Sequence, residues 1–145
     1  MNAGSICSRV VATATPNEKV RVAAHRMAVN DVGTLVVVDV AGHNEAVGIV
    51  TDRDIAIRCV AGELDPDTTN VSQVMTQPIA TVDEYTTVDT AISKMAVNNT
   101  RRLIVTGDGH RLVGILSLDD VLAMLAREVG PIGELLEQQQ PRIPA

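Results

Sequence analysis

Aromatic side chains are almost missing from this chain of 145 residues: Phe and Trp do not occur, and Tyr85 is the single ring. A core built here has to be filled by Val, Ile, Leu, Ala and Met, and the stacking platform that holds single-stranded nucleic acid is missing. Cationic clusters are scarce too, because 12 Lys and Arg face 18 Asp and Glu for a formal net charge of −6. Duplex binding depends on clustered cations that displace condensed counterions, so no nucleic-acid partner is expected. No apolar run approaches the ~20 residues that a membrane-spanning helix needs. Met1 to Arg9 lacks the charged start and long apolar centre of a signal peptide. These absences predict a cytoplasmic chain with no membrane partner.

Cysteine is limited to Cys7 and Cys59, which fall in neither a CxxC nor a CxxH spacing. Reduced, buried thiols are expected rather than a disulfide framework or a zinc site. His25, His43 and His110 are scattered, and the sequence assembles no metal site from them. Signatures of catalysis are missing as well: there is no GxSxG, Walker loop, HExxH or Gly-rich dinucleotide fingerprint. The chain is not expected to be an enzyme.

What is present is a globular balance, 46% hydrophobic and 21% charged, in a length that normally makes one domain. An internal repeat organises it. A shift of 68 positions lays Val11-Ala12-Thr13 on Ile79-Ala80-Thr81, Met27-Ala28-Val29-Asn30 on Met95-Ala96-Val97-Asn98, and Leu35-Val36-Val37 on Leu103-Ile104-Val105. After a gap of two residues, Val47-Gly48-Ile49 matches Val113-Gly114-Ile115, Thr51 matches Ser117, and Asp54 matches Asp120.

Each copy reads as β-α-β-β-α. Val10 to Thr13 is a short β-branched run, and Glu18 to Asn30 carries Val20, Ala23, Ala24 and Met27 at helical spacing. Leu35 to Val40 and Ala46 to Thr51 form a hairpin through Ala41-Gly42-His43-Asn44, repeated by Leu103 to Thr106 and Leu112 to Ser117. Second helices are expected over Asp52 to Val60 and Leu118 to Arg127. A unit of this size buries too little apolar surface to stand alone, so the two sheets should pack face to face. Gly62 to Asn70 is a polar loop, and Val71 to Met75 reads as a helical turn. Beyond Arg127 a break at Gly130-Pro131 precedes Ile132 to Gln140, and Gln138 to Pro141 reads as a frayed tail.

The repeated feature that packing alone does not demand is Gly48-Ile49-Val50-Thr51-Asp52-Arg53-Asp54, echoed by Gly114-Ile115-Leu116-Ser117-Leu118-Asp119-Asp120. In one reading these are helix caps, with the hydroxyl accepting a backbone N–H and the Asp meeting the positive helix end. In the other, the carboxylate accepts bonds from a pair of vicinal hydroxyls in a small-molecule pocket and the helix start faces an anion. The physics of the motif admits both.

Gly-x-x-Thr/Ser-x-x-Asp, twice in this context and with Val74-Met75-Thr76 leading the second copy, resembles the CBS-domain pair, the family named after cystathionine β-synthase. The resemblance runs from about Ile6 to Arg127. It implies an α+β fold of two β-α-β-β-α repeats packed sheet to sheet with pseudo-two-fold symmetry. Repeats at 6–61 and 74–127 would be joined by a linker at 62–73 and followed by a C-terminal helical tail at 128–145. The implied function is a stand-alone regulatory module that binds an adenine nucleotide (AMP, ADP, ATP or a relative) as regulatory ligand, requires no cofactor and signals to an effector protein. A ligand-free protein interaction module on the same fold is the alternative. Clefts in this family are composite. Carried over, the first holds Ile49, Thr51 and Asp54, with Ile79 and Ala80 against the base and Arg101 and Arg102 near phosphate. The second holds Ile115, Ser117 and Asp120 with Val11, Ala12, Gly33 and Thr34. Because Gly33-Thr34 stands where the first cleft has two arginines, the clefts should be unequal toward phosphate. Helix faces bearing Ala23, Met27, Ile55, Cys59, Ala91, Met95, Val121 and Met124 offer apolar surface, and a homodimer meeting through these helices is expected.

Overall fold

A computed structural model describes residues 1–139, and the two halves repeat each other element by element. In the first half, helix α1 (Ala3–Ile6) is followed by strand β1 (Thr13–Ala14), helix α2 (Val20–Asn30), and strands β2 (Thr34–Asp39) and β3 (Glu45–Thr51). One turn of helix α3 (Asp52–Asp54) then runs into a π-helical stretch over Ile55–Val60. The second half has α4 (Val71–Val74), β4 (Thr81–Asp83), α5 (Val88–Val97), β5 (Arg102–Thr106), β6 (Leu112–Ser117) and α6 (Leu118–Gln139). Each half makes a three-stranded sheet, β1-β2-β3 or β4-β5-β6, with a parallel pair and then an antiparallel hairpin. Register repeats at the same offset, Thr13 opposite Val36 and Thr81 opposite Ile104. A side-chain brace repeats too: Arg26 on α2 donates to the Thr13 carbonyl at 2.7 Å, and Lys94 on α5 donates to that of Thr81.

The leading segments are exchanged between the halves. Helix α1 packs into the core of the second half, where Ala3 is fully buried beside Val82, Val88 and Val105. Helix α4 packs into the first, where Val71 and Val74 sit beside Ala23, Leu35 and Cys59. Ser8 pairs with Ile115 on the open edge of one sheet, and Thr76 pairs with Ile49 on that of the other. These two main-chain pairings (Ser8 N to Ile115 O 2.9 Å, Thr76 N to Ile49 O 2.7 Å) occupy edges that would otherwise expose unpaired groups. Between the sheets lies a third core of Val36, Val38 and Ile104, flanked by Val11, Ile49, Ile79 and Ile115. The sheet-to-sheet, pseudo-two-fold α+β arrangement implied by the sequence is the observed one.

Several local expectations are corrected. The first strand lies at Thr13–Ala14 rather than Val10 to Thr13, because the parallel ladder starts only where Thr13 reaches Val36, and Val10 is left exposed. The second helix of the first half is π-helical after Asp54, with the Ala61 N–H bonded to the Ala56 carbonyl five residues back. No break occurs at Gly130-Pro131: α6 runs through it to Gln139, since the fixed φ of proline is helical even though its missing N–H removes one bond. Gln138 and Gln139, expected in a frayed tail, still belong to α6, and the rest of that tail, from Gln140, lies outside the described residues. Cys59 is buried, whereas Cys7 is only partly so, and burial still pushes its thiol above the usual value. Ala23, Met27, Cys59, Ala91, Met95, Val121 and Met124 are buried in their own halves, and Ile55 is partly buried against the first core. They cover the sheets of the same chain, and the apolar side chains that these helices leave exposed are others, among them Val22, Val29, Ile57, Val60, Val97 and Leu122. Tyr85, the one ring, is exposed. Among the described residues, no helix is long and apolar enough to cross a membrane.

Gly48 and Gly114 mark where the exchanged segments pass over the sheet edges. A Cβ on Gly114 would overlap the Ser8 carbonyl and lie 2.8 Å from Cys7 Sγ, both on a strand-paired segment. A Cβ on Gly48 would meet Met75 Sδ at 2.7 Å and the Thr76 carbonyl at 3.2 Å, and a thioether swings away. Gly114→Ala should therefore destabilise by about 1–3 kcal/mol and Gly48→Ala by less. Urea denaturation followed by circular dichroism checks the order; equal losses would contradict it.

Candidate functional site

Thr51 ends β3 in an extended conformation (φ −112°, ψ 162°) and caps the helix that follows. Its Oγ1 accepts the Asp54 N–H at 3.0 Å, and Asp54 Oδ2 accepts the Thr51 N–H at 3.0 Å. Ser117 and Asp120 make the same reciprocal pair at 3.1 and 3.0 Å. Capping boxes of this kind satisfy two orphan helix donors at once. The capping role of the repeated motif is therefore real in both halves, and any ligand contact has to use what the cap leaves free.

The two aspartates differ in that respect. Asp54, with 13% of its side chain exposed, also accepts from Thr76 Oγ1 at 3.2 and 3.3 Å and lies 3.9 Å from Arg58 Nη2. Arg58 in turn donates to the Val74 and Met75 carbonyls at 3.0 and 2.8 Å, tying the π-helical stretch to the end of α4. The residue in the place of Thr76 on the other side is Ser8, whose hydroxyl bonds to the Val10 carbonyl instead.

Thr51 and Asp54 open into a cavity of about 340 Å³ shared by both halves. Ile49 joins them from the first half, and Ile79, Ala80 and Arg102 come from the second. Thr76, Pro78, Asn98 and Thr100 complete its wall. The sequence reading missed these four, although the 68-residue shift that sets Ser8 on Thr76 also sets a hydroxyl at the same place in each copy. The lining thus combines apolar side chains, a carboxylate, hydroxyls and the exposed Arg102 guanidinium.

Next to this cleft runs a groove of about 550 Å³ lined by Thr34, Arg101, Arg102, Ser117 and Asp119, which shares Ile49, Thr51 and Thr100 with the cleft wall. Arg101 belongs to this groove, where its guanidinium lies 3.5 Å from the exposed Asp119 carboxylate. Arg102 alone of the pair lines the first cleft. From the second set, Ser117 and Thr34 face the groove, Val11 and Ile115 pack against the core between the sheets, and Asp120 stays in its cap. Ala12 and Gly33 act through main-chain carbonyls, which accept from Val36 N at 3.1 Å and Asp52 N at 2.9 Å. Among the described residues, no three His, Cys, Asp or Glu side chains are grouped to hold a metal ion.

Without any ligand, the two caps should differ in their contribution to stability. Asp120→Ala removes one capping acceptor and should cost about 1 kcal/mol. Asp54→Ala removes in addition the Thr76 bond, for a total of about 2 kcal/mol. Thermal denaturation of the two variants tests this order.

Comparison with known proteins agrees with this architecture. Residues 3–60 and 71–127 each match the CBS domain family. Uncharacterized protein MK0525 of Methanopyrus kandleri is 30% identical over 143 residues, covering 99% of this chain and 72% of that protein. Among solved structures, Hypoxic Response Protein I with two coordinated zinc ions has a TM-score of 0.74 and 29% identity, covering 85% of this chain and 98% of that one. The CBS domain protein PAE2072 from Pyrobaculum aerophilum, complexed with AMP, has a TM-score of 0.70 and 30% identity, covering 83% and 89%. With two family matches that span most of its length and a cleft composed from both repeats, the chain belongs to the CBS domain family as a tandem pair.

Proposed function

We propose that this chain is a non-catalytic regulatory module of the cytoplasm, working as a homodimer, that binds an adenine nucleotide in the Thr51/Asp54 cleft and passes its occupancy to an effector protein. The observation that carries the reading is the composite cavity itself. Ile49 from one half and Ile79 and Ala80 from the other leave an apolar slot suited to a flat base. The Asp54 carboxylate keeps Oδ2 in the cap, and its Oδ1 faces Thr76 Oγ1. A ribose hydroxyl donating to Oδ1 would take the place of the Thr76 hydroxyl in a bond of the same kind. The exposed Arg102 supplies a charge-assisted donor for phosphate. The AMP complex of the Pyrobaculum aerophilum relative supports an adenine nucleotide as the ligand class. No cofactor is needed for binding of this kind.

The cleft of Ile115, Ser117 and Asp120 has Thr34 where the first has Arg102, and in the groove that Ser117 and Thr34 face Arg101 lies 3.5 Å from the Asp119 carboxylate, which offsets its charge and repels phosphate. One charge-assisted bond is worth about 1.5–3 kcal/mol, and 1.4 kcal/mol is already tenfold in affinity. Calorimetric titration with ATP and with AMP should resolve a tighter site that Asp54→Ala removes and Arg102→Ala weakens about tenfold or more. Asp120→Ala should remove a weaker site. Added salt should weaken the first more than the second. A ligand bound only by the folded chain must also raise its melting temperature. If neither nucleotide gives heat or a melting shift, the chain is a ligand-free interaction module.

A further inference from the structure

Helix α6 continues well past the end of the family match at residue 127. Val121 and Met124 are its buried anchors, and from Leu125 to Gln138 every side chain is exposed. Leu122, Leu125, Val129, Ile132 and Leu136 nevertheless form an apolar stripe spaced by three and four residues in turn, each between 44% and 60% exposed. That alternation is the 3.5-residue period of a helix-pairing seam. At ~100° per residue it lies about a quarter-turn around the helix from Val121 and Met124, clear of the body of the chain.

The distal turns cannot hold themselves. Gly130 and Gly133 each cost a helix about 1 kcal/mol relative to Ala, and Pro131 about 3 kcal/mol. A Cβ on either glycine would touch nothing within 4 Å among the described residues, so none of them braces this stretch. A helix so composed is kept by packing of its apolar face.

We infer that the stripe is covered by the same stripe of a second copy, in antiparallel order about a two-fold axis at Val129. In that register Leu122 meets Leu136 of the other copy, Leu125 meets Ile132, and Val129 meets its own equivalent, so the surface is complementary to itself. Antiparallel order opposes the helix dipoles and sets Glu134 and Glu137 of the two copies at opposite ends, whereas parallel order would crowd them together. Covering five half-exposed aliphatic side chains from each copy removes on the order of 1,000 Å² in total, the lower edge of a specific interface. The acidic character of the chain disfavours an anionic lipid surface as the cover. This inference rests on the homodimer in the proposed function and gives it a contact surface different from the helix faces that are buried in the core.

Light scattering of the full chain at micromolar concentration should give about twice the 15.4 kDa chain mass, and Val129→Glu should return it to the monomer mass with the circular dichroism of the folded pair retained. Leu122→Glu and Leu136→Lys should each weaken association alone and regain the double mass when mixed, because the antiparallel register sets the new charges opposite each other. A wild-type monomer overturns the homodimer and the seam together. A dimer that survives Val129→Glu and Leu122→Glu keeps the homodimer and overturns the seam. Monomers that stay apart in the mixture overturn the antiparallel register.

Discussion

The close passage of one main-chain segment over a glycine, made twice, is the constraint on which the rest of this structure depends. Ser8 lies against Gly114 at a distance that leaves no room for a side chain, and Thr76 passes Gly48 more loosely, with the movable Met75 thioether beside it. Each passage fixes an exchanged helix in the opposite core and closes a sheet edge. The leading segments then run on to deliver Val11 and Ile79 into the core between the sheets. The glycine of the repeated Gly-x-x-Thr/Ser-x-x-Asp motif is thus explained by packing. Its hydroxyl and carboxylate serve as a cap, and the cleft is built on what both leave over.

That shared use shapes the difference between the two halves. Helix capping holds the Asp54 and Asp120 carboxylates in the same geometry, so neither needs a ligand to be ordered. Asp54 alone is joined to Thr76 and lies near Arg58, which binds the carbonyls at the end of α4. In the second half the position of Arg58 is taken by Met124, a buried side chain of the core. Charge therefore collects around one cap and apolar packing around the other, on a backbone that is otherwise repeated. Where the first half carries a π-helical stretch, the second carries regular helix.

Much of this was legible in the sequence because the repeat is strong. The hairpins and the amphipathic helices follow from matched residues, and the grouping of Ile49, Thr51, Asp54, Ile79, Ala80 and Arg102 from the resemblance to the CBS family. The exchange of leading segments was not legible, since Ala3–Ile6 and Val71–Val74 share almost no residue types and their common role is visible only in the cores they enter. The apolar helix faces were identified correctly, but periodicity shows that a face is buried and not what buries it. Here the sheets of the same chain do so, with aliphatic side chains alone. Pro131 gave a false stop because a proline inside a helix costs one bond and a steric clash, which is a penalty and not a prohibition. Thr76, Pro78, Asn98 and Thr100 lie in loops or at helix ends, where hydrophobic period carries no signal.

The exchange also sets an order on the making of the protein. While a ribosome is still extending the chain, the first sheet can form its hairpin, yet its core stays open until Val71 and Val74 have emerged. Meanwhile Ala3, the first buried residue synthesised, has no place to go until Val82, Val88 and Val105 exist, roughly a hundred residues later. The domain cannot ratchet into shape from its N-terminus, as independent units do during synthesis. The first core can close once Val74 is out and the second only when Met124 is, so the core between the sheets, which needs both, is completed last.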